Sequence, residues 1–402
     1  MNMRKWGLGA LCFALGLMSV SPAAADTVQV EHSGRVFHVA ICPRGNPAGT
    51  ARCFAHVVTD ARGNPINGKV TPAAVPSGYG PADLQAAYGI TGLTPTGTPI
   101  VAIVDAFAYP NAEADLAVYR SQYGLPACTK ANGCLRIVGQ TGGNPPARVD
   151  TGWDNEQALD LDMVSAACPN CHILLVEASS ASLSNLWTGV DYAKGQPGVR
   201  AVSNSYGTTD SSSYAQYDSH YAANNIAITV STGDSGYGAQ WPATAPGAVA
   251  VGGTSLSRSN NTRGWSESAW NGAGSGCGLG HSQPTWQIGV TDACGGRMEA
   301  DVSSNADPNT GVAVYGPVNR STSGWGVWGG TSESSPFIGA LFALRNGSIN
   351  AASSIYAHKS NLNDVTTGSN GTCAVSYYCN AQTGYDGPTG LGTPSGLGAF
   401  SN

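Results

Sequence analysis

Near-continuous apolar runs recur along the middle of this chain, each separated from the next by an amphipathic stretch of helical length. The runs are TPIVAIVDA (98–106), HILLVEAS (172–179), VRAVSNSYG (199–207), IAITVSTGD (226–234) and AVAVGGT (248–254). Between them lie AEADLAVYRSQYG (112–124), NEQALDLDMVSAA (155–167), LSNLWTGVDYAKG (183–195) and SYAQYDSHYAANN (213–225). A strand apolar on both faces has to be covered on both faces. With helices intervening, the pattern specifies an α/β fold, a parallel sheet wound on either side by crossover helices. In such sheets the functional side chains collect beyond the carboxyl ends of the strands. Two of those ends, SNSYG (203–207) and STGDSG (231–236), are polar and carry glycine.

Residues 26 to about 75 have a different character. RVFHVAIC (35–42) and RCFAHVVTD (52–60) are β-rich and are followed by turn signals and the linker-like VTPAAVPSG (70–78). They predict a small β-rich N-terminal unit over 26–77, with the larger domain running from 78 to 402. Ahead of it, Arg4 and Lys5 precede the apolar WGLGALCFALGLMSV, and SPAAA closes at Ala25. A charged start, a short apolar core and small residues at the exit read as a secretory signal peptide over 1–25, and the apolar run is short for a membrane span. The expectation is an exported, soluble protein. A net charge of −6 without a basic cluster excludes nucleic acid as a natural partner, and a monomer is expected. Beyond Cys12, the cysteines fall into close neighbours: 42 and 53, 128 and 134, 168 and 171, 277 and 294, 373 and 379. In an exported chain these read as disulfides. Sequential pairing is the simplest arrangement, although connectivity does not follow from sequence, and the CPNC of 168–171 also has the spacing of a redox dithiol.

Three elements could carry chemistry. Ser332 follows a Gly-Gly-Thr lead and precedes an apolar helix with Pro336 near its start. A hydroxyl at such a helix entrance is exposed beside free backbone N–H groups, which suits a nucleophile whose intermediate needs an oxyanion hole; it also suits a plain helix cap. A serine nucleophile needs a base, and no histidine stands in a glycine-flanked helix start. Glu156 and Asp160 lie one helical turn apart, so they share a face. Carboxyls that close resist double ionisation and can share a proton, giving a base that works where imidazole is already protonated. Acids in a helix's first turns are equally at home on a solvated face. Asp234, at a strand's carboxyl end, could donate a hydrogen bond to an oxyanion if an apolar cleft kept it protonated, as in the ketosteroid isomerase precedent; Gly-Asp-Ser-Gly is also a serviceable turn.

Together the pieces resemble a known family. GYGPADLQAAYGI, AIVDAFAYP, EQALDLD, STGDSG, VGGTSL, SESAWN, ADVSSNADPNTGVAVY, GGTSESSP and GYDGPTGLGTP follow one another as they do in sedolisins, the serine-carboxyl peptidases of subtilisin-like fold. The resemblance covers 78–402. It implies that Ser332 is the nucleophile, Glu156 its base, Asp160 the support of Glu156, and Asp234 part of the oxyanion hole. Asp105 stands where some members have a further linked acid. The edge containing Ser205, Tyr206 and Gly207 is implied to pair with an extended polypeptide substrate. The resemblance also implies one structural Ca²⁺, held by Asp364 and Asp386 carboxylates and the carbonyls of Val365, Gln382 and Gly384. Gln382 replaces a usual glycine, Cys277 interrupts a usual all-glycine run, and the short stretch before Gly78 leaves open whether 26–77 is a reduced prosegment.

The activity expected is therefore that of a secreted, acid-active serine-type endopeptidase. A Ser/His/Asp hydrolase on the same sheet would need a histidine helix. A two-carboxylate glycosidase would not need Ser332. A secreted peptide-binding protein on a peptidase scaffold would have no use for an intact set of Glu156, Asp160, Asp234 and Ser332.

Overall fold

The computed structural model describes Met1 and residues 29–66, 76–319 and 321–401. The signal peptide expected over 1–25 lies, apart from Met1, outside the described residues, as does most of the linker. No helix among the described residues is long and apolar enough to cross a membrane.

The apolar runs form the strands their composition requires. The N-terminal strands are β1 (Val30–Ser33), β2 (Val36–Ala40), β3 (Arg52–Cys53) and β4 (His56–Thr59). The central strands are β5 (Ile100–Ala106), β6 (Leu135–Gly139), β7 (His172–Ala178), β8 (Val199–Asn204), β9 (Tyr206–Thr209), β10 (Ala227–Ser231), β11 (Gln240–Trp241), β12 (Val249–Arg258) and β13 (Trp265–Ala269). In the large sheet the order is β13-β12-β10-β8-β5-β7-β6, with Val302–Asn305 also pairing with β12. Every pairing from β12 to β6 is parallel, and only β13 joins antiparallel. The chain leaves β5 toward one edge and returns to build β8 on β5's other side. That reversal opens a crevice beyond the strand ends.

Successive side chains of a strand point to opposite faces, and the core divides accordingly. Val101, Ile103, Ile173 and Leu175 face one core, while Ala102, Val104, Leu174 and Val176 face another. The helices α1 (Pro81–Ala87), α2 (Ala112–Gln122), α3 (Thr151–Ala167), α4 (Leu183–Lys194) and α5 (Thr331–Arg345) cover the two faces. The first core is closed by α3 and α5 and the second by α4. Asp150 caps α3 by accepting from the N–H groups of Gly152 and Trp153. The helix predicted over 213–225 is instead a 3₁₀ segment, Ser212–Tyr221. Its serines compete for the backbone, and its aromatics stack on Trp187 and Trp241 rather than forming an apolar stripe.

The N-terminal strands do not form a unit of their own, as their composition had suggested. β1, β2 and β4 continue into the hairpin Val312–Asn319/Thr322–Gly329, which runs directly into α5. β3 pairs antiparallel with β9. Short ladders with this little apolar surface cannot stand alone, so they complete themselves on edges of the main domain. All five cysteine pairs close sequentially, Cys168–Cys171 included.

His281 is the one histidine whose two ring nitrogens both meet carboxylates among the described residues: Asp210 at 2.9 Å and Asp218 at 2.8 Å. Burial alone would lower its pKa, but the hydrogen bonds to Asp210 and Asp218 outweigh it and push it up to about 9. A folded pKa above the unfolded one contributes stability that is complete below about pH 6.5 and lost as pH rises through about 9. His281→Asn should therefore cost about 3 kcal/mol at pH 6, and the difference from the parent should shrink by pH 9.5, as read by denaturant unfolding at the two pH values.

Candidate active site

Four of the residues singled out from sequence converge at the crevice. α3 is buried along almost its whole length, and it carries Glu156 and Asp160 inward with no exposure of either. The Ser205 hydroxyl donates to Asp160, with its Oγ 2.8 and 3.0 Å from the two carboxylate oxygens. Ser332 is the second residue of α5 and is also fully buried. Its hydroxyl donates to the Ser205 carbonyl at 3.2 Å, yet it lies close enough to Glu156 for a hydrogen bond to that carboxyl to lower the acid's pKa. Glu156 Oε1 has no other hydrogen-bond partner among the described residues.

Asp234 ends the β10 segment against the entrance of α5. Its Oδ1 accepts from the Thr331 N–H and hydroxyl, each at 2.8 Å, while Oδ2 accepts no hydrogen bond. Burial raises its pKa to about 7 against the pull of the Thr331 hydrogen bonds and of Arg52. Burial is also the first cause of the large upward shifts of Glu156 and Asp160, and Asp105 the second. Asp105 at the end of β5 is itself inaccessible, with both carboxyl oxygens unsatisfied, and is pushed up by burial and by Glu177 on the neighbouring strand. Four carboxyls in a dry crevice cannot all ionise. The arrangement holds protons, and so it can both take one from a hydroxyl and lend one to an oxyanion.

The edge implied to take substrate is filled by the chain's own N-terminal segment. Arg52 and Cys53 pair with Gly207 and Tyr206. The Phe54 N–H donates to the Ser205 carbonyl at 3.2 Å, and the Phe54 ring lies against Gly207 and Gly233. The next amide, Ala55 N–H, donates to Glu156 Oε2 at 3.0 Å. The Phe54 carbonyl oxygen points at Gly330, whose φ is +99°; a Cβ there would stand 2.0 Å from that oxygen and 2.6 Å from Asp234 Oδ2. The Phe54–Ala55 peptide thus spans the gap between the acid of β10 and the base of α3. Of the implied edge residues, Ser205 acts on Asp160 through its side chain, while Tyr206 and Gly207 act through their backbone. Sequence reading missed Arg52, Phe54, Ala55 and His56, because nothing local in RCFAH marks a strand that crosses a cleft. His56, set aside with the other N-terminal histidines, ends 3.5 Å from Asp234 Oδ2.

The residues implied to hold Ca²⁺ also come together. Asp386 is inaccessible and accepts from the Thr389 N–H and hydroxyl and from the Gln382 N–H, and Asp364 accepts from the Gly384 N–H. Neither acid forms an ion pair, and no backbone N–H donates to the carbonyls of Val365, Gln382 or Gly384 among the described residues. A buried carboxylate beside a second acid, with free carbonyls around it, is an oxygen-only donor set suited to a hard cation.

No protein-family model matches the chain. It is 30% identical to kumamolisin from Bacillus sp. (strain MN-32) over 366 residues, 81% of this chain and 63% of that protein. It is 32% identical to sedolisin from Pseudomonas sp. (strain 101) over 207 residues, 43% of this chain and 34% of the relative. Among solved structures, a Pseudomonas sedolisin, a serine-carboxyl proteinase complexed with two molecules of pseudo-iodotyrostatin, superposes with a TM-score of 0.66 at 24% identity, over 80% of this chain and 96% of that one. The chain is similar to sedolisins in sequence and shares their fold. It spans between a third and just under two thirds of the length of these two curated relatives. The sedolisin fold places Ser332, Glu156, Asp160 and Asp234 around one crevice, in a chain whose own residues 52–55 lie across it.

In this chain, Gly330 is indispensable for two independent reasons, its left-handed backbone and the absence of room for a Cβ. Gly330→Ala should lower stability by at least about 1–2 kcal/mol, measurable as a fall in the unfolding midpoint; an unchanged midpoint would mean that Phe54 does not lie against this turn.

Proposed function

We propose that this chain is a secreted, acid-active serine-carboxyl endopeptidase that cleaves polypeptides through an acyl-enzyme on Ser332. The observation that carries the reading is the lie of residues 52–55, an extended strand whose Phe54–Ala55 peptide sits where a scissile bond would be attacked. The Ser332 hydroxyl adds to the substrate carbonyl carbon while Glu156 accepts its proton, and Asp160, held by Ser205, keeps Glu156 in place. The oxyanion forms beside Asp234, which donates its carboxyl proton as a hydrogen bond. Glu156 then returns the proton to the leaving amine, the position that the Ala55 N–H occupies at 3.0 Å. Water attacks the acyl-enzyme by the same route in reverse.

Substrate and the 52–55 strand compete for one edge, so residues 26–77 have to withdraw or be removed for turnover. Withdrawal admits water to the crevice. The desolvation that holds Glu156 protonated then relaxes, and the base regains a pKa nearer the ordinary carboxylate range, about 4. The reading includes one structural Ca²⁺ at Asp364, Asp386 and the carbonyls of Val365, Gln382 and Gly384, where the ion would neutralise the paired acids and pin the C-terminal loops.

Ser332→Ala and Glu156→Gln should each lower hydrolysis of denatured casein at about pH 4 by at least about 10³-fold without shifting the unfolding midpoint. Activity near the parent's in either variant would refute the mechanism and favour a peptide-binding role for the cleft. For the ion, Ca²⁺ should raise the melting temperature of the parent and not that of Asp386→Ala; an equal response in both would remove the site.

A further inference from the structure

One group of ligand-type side chains has no part in this chemistry. Glu31 on β1, His38 on β2 and His56 on β4 come from three adjacent strands of the N-terminal ladder, and their ligand atoms all lie within 4.8 Å of one another. We propose that Glu31, His38 and His56 bind one borderline divalent transition ion, with Zn²⁺ as the type, between this ladder and the crevice.

The strand register places the three together. Glu31 stands directly opposite His38, and His38 stands opposite Val58, two residues from His56 and therefore on the same face. The Nδ1 atoms of the two histidines are 2.9 Å apart, and the rings are 3% and 0% exposed. Tetrahedral zinc with bonds of about 2.0–2.1 Å sets its ligands about 3.3 Å apart, so these side chains need shift by only about 1 Å. The imidazole next to a metal usually turns its other ring nitrogen to a carboxylate, which fixes the tautomer. His56 Nε2 lies 3.5 Å from Asp234 Oδ2, and its Nδ1 is the nitrogen that meets His38. A His–His hydrogen bond accounts for the pair of rings, and Arg44 for one oxygen of the carboxylate opposite them.

The surrounding charges are mixed. Arg44 pairs with Glu31 Oε1 at 2.7 Å and leaves Oε2 to an ion. Arg52 and His32 add positive or titratable groups, and Asp307 and Asp234 add acidic ones. The cluster opens on a cleft of about 500 Å³ lined also by Arg44, Asp234 and Trp270, which leaves a coordination position for water. Two imidazoles select Zn²⁺, Co²⁺ or Ni²⁺ over Ca²⁺, so this site is chemically distinct from the oxygen-only set at Asp386.

The test is a Co²⁺ titration of the full chain, stripped with chelator, followed by visible d–d absorption and by displacement with Zn²⁺. One equivalent should bind with the intensity of a tetrahedral nitrogen-ligated ion. His38→Gln and Glu31→Gln should each weaken binding at least about 10- to 100-fold, the loss that even outer partners of a metal ligand produce, with melting temperatures in chelator unchanged. Asp386→Ala should bind Zn²⁺ as the parent does. Failure of the parent to take up one equivalent, or uptake of equal affinity in Glu31→Gln, overturns the proposal. Glu31 is only partly buried, so that variant remains decisive if His38→Gln does not fold.

Discussion

The N-terminal strands reach the helix that carries the acids through a hydrogen bond, the Ala55 N–H on Glu156 Oε2, 3.0 Å long and away from water. It joins the N-terminal strands to α3, and it does so through a carboxyl that would otherwise have one hydroxyl for company. A buried carboxyl without donors is expensive. The structure meets that cost with backbone from a distant part of the chain, and the path of residues 51–56 follows from it. β3 lies on β9, the Phe54 ring lies against Gly207 and Gly233, and β4 joins the hairpin that delivers Ser332.

The crevice combines two features that rarely coexist without a function. It is dry, and it is rich in acids. Asp105, Glu156, Asp160 and Asp234 are all inaccessible or nearly so, and among the described residues no cation forms an ion pair with the first three. Burial raises all four, and neighbouring acids raise the first three further. Protons must therefore be stored there. A serine at a helix entrance, a base that can hold or release a proton and an acid able to donate to an oxyanion are what acyl transfer at low pH requires. The left-handed turn at Gly330 lets a carbonyl approach this set, because any side chain at that position would fill the space.

The parallel sheet was legible because burial on both faces leaves an unmistakable mark, an apolar run without alternation. Glu156 and Asp160 were legible as a pair because helical periodicity is local, and Ser332 because a glycine lead before an apolar helix is a local signal too. The family resemblance rested on the order of such signals. The 213–225 stretch was misread as a helix because its aromatics pack on Trp187 and Trp241, a contact that no periodicity encodes. Likewise RCFAH reads as an ordinary strand, and its place across the crevice depends on which distant edge remains open to it.

Sequence alone determined the layered sheet and marked the acids and the serine as candidates, since each depends on spacing within one element; the pairing of the cysteines was left to the fold. Tertiary structure decided which carboxyls share one dry pocket, which backbone satisfies Glu156, and what occupies the edge at Ser205, Tyr206 and Gly207. Those outcomes depend on desolvation and on hydrogen bonds between residues far apart in the chain, such as Phe54 and Ser205. Energies of that kind exist only once the chain has closed around them.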